Sequence, residues 1–123
     1  MAEGASRSLV VLTTHGTDHE LSSVAFTIAC GGLTAGLKVS VFLASAGVDL
    51  VRKRALDTAV VPPLSPLREL VQDFMKRGGV VWACTPCVKA RGYEQNDLIE
   101  GVVVTGASAM HEQIKQGAAT LSF

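Results

Sequence analysis

Apolar positions fall in two patterns along this chain. Some form short unbroken runs, and others recur every three or four residues. The run Ser8 to Thr14 (Ser-Leu-Val-Val-Leu-Thr-Thr) is aliphatic and β-branched, as expected of a strand covered on both faces. Behind it, Thr17-Asp18-His19-Glu20 reads as a capping box, with Thr17 and Glu20 satisfying the free N–H groups of a helix start. Leu21, Val24, Ala25 and Ile28 mark one face of that helix, and Gly31-Gly32 is expected to end it. Leu37 to Leu43 is a second strand. Ala46 to Ala55 is expected to form a short helix, with Arg52, Lys53 and Arg54 compensating the dipole in its last turn. Pro62, Pro63 and Pro66 punctuate a loop. Ser65 and Pro66 then read as the N-cap and first position of a helix whose Leu67, Leu70, Val71 and Phe74 share a face, and Gly78-Gly79 closes it.

Val80 to Ala83 is a third strand, and it delivers Cys84 at its C-terminal end. Val102 to Thr105 is a fourth. Gly106-Ala107-Ser108 leads into a helix carrying Met110, Ile114 and Ala118, and Thr120 to Phe123 is a short final edge strand. Strands alternating with helices specify an α/β fold. The expectation is one domain over residues 1–123, a three-layer sandwich around a mostly parallel sheet of about five strands.

Composition sharpens this picture by exclusion. Of 123 residues, 48% are hydrophobic and 18% charged, which rules out intrinsic disorder. Lys and Arg number 11 and Asp and Glu number 11, so no basic surplus points to nucleic acid, and at 5% aromatic the chain lacks a base-stacking platform. Zero net charge also removes self-repulsion and eases self-association. Leu21 to Leu37 contains no charged side chain. It carries four Ser or Thr and three Gly, however, and meets Lys38 short of the roughly 20 apolar residues that span a bilayer. A buried helix running into a strand is expected there, with no membrane partner. Nothing at the N-terminus has the form of a signal peptide, so the expected location is cytoplasmic.

Chemistry is expected where open α/β sheets place it, at the C-terminal ends of strands. His15-Gly16-Thr17-Asp18-His19, Cys84-Thr85-Pro86-Cys87 and Gly106-Ala107-Ser108 all qualify. Cys30 lies among small apolar residues and reads as a buried hydrophobe. If Thr85 to Arg91 is helical, Pro86 occupies its opening turn and Cys84 meets the positive end of its dipole. Lys89 and Arg91 then add positive charge, which favours a thiolate. Cys87 lies one turn on, able to resolve a disulfide or pass on a sulfur atom. Thr85 would help hold an anionic sulfur, and His15 is a candidate proton shuttle, with His19 behind it. Asp18 is explained by the helix dipole, and His111 by the surface of the last helix. Three chemistries could use the pair. A closed zinc site wants four ligands, and no second cysteine pair exists to supply them. Dithiol exchange is the second, since Trp82-Ala83-Cys84-Thr85-Pro86-Cys87 is loosely similar to the thioredoxin motif. Sulfur relay through a cysteine persulfide is the third, and a binding module with incidental cysteines stands outside all of them.

The run Gly78 to Gly92 (Gly-Gly-Val-Val-Trp-Ala-Cys-Thr-Pro-Cys-Val-Lys-Ala-Arg-Gly), followed by Asp97-Leu98-Ile99-Glu100-Gly101, resembles the DsrE/F-like family. So does the opening Leu12-Thr13-Thr14-His15-Gly16. The resemblance implies a small α/β protein assembled as a homo-oligomer, a trimer or hexamer, exchanging sulfane sulfur with other sulfur-relay proteins. In the better-known members one cysteine after the Gly-Gly strand bears the persulfide, and that position matches Cys84. Cys87 marks a Cys-x-Pro-Cys branch, where it would assist or resolve. No cofactor and no metal is implied.

Overall fold

The computed structural model of the chain describes residues 7–57 and 62–123, so the opening residues 1–6 lie outside the described residues. Five strands form one sheet: β1 (Ser8–Thr13), β2 (Lys38–Leu43), β3 (Val80–Cys84), β4 (Val103–Thr105) and β5 (Ala119–Ser122). Their order is β4-β3-β2-β1-β5, and every pairing is parallel. Register places Thr13 beside Leu43, Leu43 beside Ala83, and Cys84 beside Thr105, so all these strand ends share one rim.

Side-chain alternation sends Leu9, Val11, Val39, Val41, Val81 and Ala83 to one face, where α1 (Glu20–Thr34) and α2 (Leu67–Lys76) cover them. Phe26 of α1 and Phe74 of α2 meet edge to face there, with ring centroids 5.8 Å apart. Gly79 leaves room for the Phe74 ring, which a Cβ would strike. The step from β4 back across to β5 reverses direction, and right-handed crossovers place α4 (Ala107–Lys115) on the opposite face. The architecture is thus the expected three-layer α/β sandwich.

Four local expectations need correction. The helix after β1 is capped by His19, whose Nδ1 accepts the Leu21 N–H at 3.1 Å, and not by a Thr17–Glu20 box. Gly31-Gly32 does not end α1. A Cβ at Gly32 would sit 2.9 Å from Val39, so glycine there permits close packing, and the helix stops before Gly36 at φ +90°. Ala46 to Ala55 is not one helix. It is a 3₁₀ segment, Ser45–Val51, followed by turns with Arg54 at φ +69°, so the basic cluster faces no helix C-terminus. α2 starts one residue late, with Pro66 in the cap position and no side-chain bond there. Smaller boundary shifts put Ala118 beyond α4 and start β5 at Ala119.

Candidate functional site

β3 ends at Cys84, and α3 (Thr85–Ala90) begins at the next residue, making Cys84 the helix N-cap. Pro86 fits the first turn because no intrahelical N–H is needed there. Cys87 follows one turn later. All three cysteines are free and half-buried.

The 3₁₀ segment holds this short helix at two points. Ser45 N–H donates to Cys87 Sγ at 3.1 Å. Asp49 accepts the Tyr93 hydroxyl at 2.6 Å and pairs with Arg91 Nε at 3.4 Å, while Arg91 Nη1 reaches the Cys87 carbonyl at 3.4 Å. Ser45 adopts φ +54°, a left-handed conformation that costs a residue with a side chain about 1 kcal/mol or more. Its surroundings impose it. Ala44 N–H bonds the Thr13 carbonyl at 3.0 Å, and Gly47 lies so close to that same carbonyl that a Cβ would overlap it. The end of β1 therefore fixes the backbone donor that meets Cys87.

Electrostatics at Cys84 run against the expected activation. Burial pushes the Cys84 thiol pKa up, the Cys87 backbone N–H pulls it down, and the adjacent Cys87 sulfur raises it again; the net direction is upward. A helix of six residues has little dipole to oppose desolvation. Arg91 is occupied by Asp49, and Lys89 sits in the last turn of α3, away from its N-terminus. The two cations do not combine to make Cys84 a thiolate. Tyr93 is likewise raised, chiefly by its hydrogen bond to Asp49.

The remaining candidates divide. Thr85 is the first residue of α3, beside Cys84. The His15 ring stacks on His19 at 3.9 Å between centroids, and no hydrogen bond joins either ring to a cysteine among the described residues. The 3₁₀ segment lies between, with Ala46 against Gly16 and Ser45 against Cys87. Asp18 lies in the turn before α1, and His111 is exposed on α4. Cys30 packs between α1 and α2, its thiol 3.6 Å from the Leu70 carbonyl. Among the described residues no group of three or more His, Cys, Asp or Glu converges as a metal site. No described helix is long and apolar enough to cross a membrane.

Sequence reading missed Ser45, Asp49 and Tyr93. Ser45 acts through its backbone, which leaves no side-chain signature. Asp49 lies 42 residues from Arg91 and 44 from Tyr93, and no local spacing links them.

Comparison with known proteins agrees with this fold. A profile of the DsrE/DsrF-like family matches residues 7–123. An uncharacterized protein of Methanocaldococcus jannaschii is 33% identical over 105 residues, 85% of this chain and 86% of its own. Another, from Methanopyrus kandleri, is 33% identical over 112 residues, 91% of this chain and 87% of its own. The solved ychN protein of E. coli shares the fold with a TM-score of 0.77 at 15% identity, covering 97% of this chain and 100% of its own. A protein of unknown function from Methanobacterium thermoautotrophicum does so with a TM-score of 0.71 at 22% identity, covering 94% of this chain and 99% of its own.

Proposed function

The chain belongs to the DsrE/DsrF-like family, and on that premise we propose that it is a sulfur-relay protein, one domain over residues 1–123, carrying sulfane sulfur as a persulfide on Cys84. The observation that carries this reading is the placement of Cys84 at the end of β3 with Cys87 one turn away, its sulfur engaged by the Ser45 N–H. In the transfer, Cys84 loses its proton and its thiolate attacks the outer sulfur of a donor persulfide R–S–SH. The donor S–S bond breaks, R–S⁻ leaves and takes up a proton, and Cys84 Sγ–SH remains. Cys87 can then attack Cys84 Sγ, expelling hydrosulfide and closing a disulfide that an external dithiol reopens. Burial keeps the resting Cys84 thiol protonated, so loading depends on a donor seated against it. Thr85 adjoins the reacting sulfur, Lys89 lies in the last turn of α3, Arg91 positions α3 through Asp49, and His15, just beyond the end of β1, is the candidate proton acceptor.

The test is mass spectrometry of reduced protein after exposure to a sulfane donor. Wild type gains 32 Da per sulfur atom and Cys84→Ser gains nothing. Equal gain by the variant, or none by wild type, sinks the proposal. The nearness of the two sulfurs supports a second reading, dithiol–disulfide exchange, for which a glutathione redox titration must find a closed Cys84–Cys87 bond. The third reading, a binding module with incidental cysteines, predicts that Cys84→Ala leaves function unchanged. We also propose a homo-oligomer, a trimer or hexamer, among whose partners are other sulfur-relay proteins. Zero net charge and exposed Val80 and Val103 on the sheet support self-association.

A further inference from the structure

The basic cluster Arg52-Lys53-Arg54 loses its explanation as dipole compensation once the segment before it is a 3₁₀ turn ending at Val51. It lines a cavity of about 320 Å³, and α2 contributes Arg68 to the same wall. Among the described residues, four cations and one carboxylate, Asp57, line this space, the Arg54 side chain reaching it from solvent. In a chain with 11 charges of each sign, this is a local segregation of positive charge. Asp57 is shared between Arg54 at 3.8 Å and Arg68 at 3.7 Å, both long and exposed pairs. Such pairs contribute little and break readily.

The cavity floor is different in kind. Leu56 and Val71 are buried beneath it, and Ile99 completes an apolar surface. Its wall is pinned by backbone bonds: Lys53 N–H to the Asp97 carbonyl at 2.8 Å, and Ile99 N–H to the Val51 carbonyl at 2.8 Å. Arg52 lies over the Tyr93 ring, 5.7 Å from its centroid, so its guanidinium is held too. A fixed apolar floor ringed by cations, at the lower end of small-molecule pocket volumes, has a definite complement.

We propose that this cavity binds a small amphiphilic anion, a phosphate or similar polyanionic head on an apolar body, held by Arg54, Arg68 and Lys53 with its body against Ile99, over the buried Leu56 and Val71. The site is independent of the cysteine chemistry. Asp57 acts as an internal competitor that the ligand's head displaces from the two arginines. Bidentate guanidinium contacts favour phosphate geometry over a spherical anion.

The experiment titrates full-length protein with 1-naphthyl phosphate, followed by amide chemical shifts. Saturable shifts at residues 52–57, 68–72 and 99 are expected, with affinity at least about tenfold above inorganic phosphate or 1-naphthol alone, and falling with salt. Arg54→Ala with Arg68→Ala should weaken it about tenfold or more, while sulfur loading on Cys84 stays unchanged. Asp57→Asn should tighten it, an outcome a merely structural role would not produce. Shifts absent at millimolar probe, unaltered affinity in the arginine variants, or weaker binding in Asp57→Asn would overturn the proposal. So would a clear preference for phosphatidic acid vesicles over the free probe, which would make the cluster a lipid-surface contact.

Discussion

The two faces of the sheet are built from one set of strands but are finished differently. On the α1/α2 face, Val11, Val41, Val81 and Ala83 lie under two helices and are fully buried. On the α4 face, a single helix with no buried residue crosses the sheet, leaving Val80 40% and Val103 50% exposed. Trp82, paired with Val103, is half-buried on that face. The contrast is one of closure: one face is sealed by two helices, and on the other Val10 and Phe42 are buried while Val80 and Val103 stay exposed. The cysteine rim lies where they meet.

The largest effect expected from breaking the closed face is Phe74→Ala, which removes the ring packed against Phe26 and Gly79. A loss of about 3–5 kcal/mol in denaturant unfolding is expected. A loss under about 1 kcal/mol would mean the face repacks easily. Next comes Gly47→Ala, whose Cβ would strike the Thr13 carbonyl and shift the segment that brings Ser45 to Cys87. It should cost about 1–3 kcal/mol and change the alkylation rate of Cys87. Thr13 itself sharpens the comparison from the other side. Its hydroxyl is fully buried without a hydrogen-bond partner among the described residues, so Thr13→Val should gain about 1 kcal/mol. A loss would show that the hydroxyl has found a bond.

Alkaline pH distinguishes the thiols in the same frame. Burial raises the pKa of Cys30 on the closed face, with Asp73 adding to it, and burial raises that of Cys84 at the rim. A thiol raised in the folded state stabilises it below the unfolded value and loses that contribution as pH climbs through the folded value. Stability should therefore be flat at neutral pH and fall above pH 9.0, the ordinary thiol value. Asp73→Asn should move the alkylation profile of Cys30 downward and leave that of Cys84 in place. The smallest effect on monomer stability belongs to the open face. Val103→Asp should change unfolding by no more than about 0.5 kcal/mol, yet shift sedimentation toward monomer. A large stability loss without a change in mass would break the division between the faces.

Much of this fold is legible in the chain because strand and helix periods are local. The run Ser8 to Thr14 overshoots β1 by one residue, and Val80 to Ala83 stops one short of β3. The helix spacing of Leu67, Val71 and Phe74 matches the buried face of α2. Legibility fails where the decisive contact is distant or made by backbone. Gly31-Gly32 signals a helix end in sequence, but close packing of Gly32 against Val39 gives that glycine another purpose. Arg91 reads as a free cation beside a thiol until Asp49 takes it up. Cys84 and Cys87 are placed as the spacing implies, whereas the pKa direction at Cys84 depends on burial that no spacing encodes.

The pairing of β5 with β1 has a consequence for how the chain must fold. Leu12 and Ser122 are register partners 110 residues apart, and backbone bonds tie Thr14 N–H to the Phe123 carbonyl and Phe123 N–H to the Leu12 carbonyl. During synthesis, one edge of β1 stays open until residue 122 has emerged. Loop closure over that span is slow, and an open strand edge is a template for pairing with other chains. Among the described strands, β1 is made first and sealed last. Nascent or shortened chains lacking β5 are thus the species most exposed to mispairing, at a strand that the finished sheet pairs on both edges.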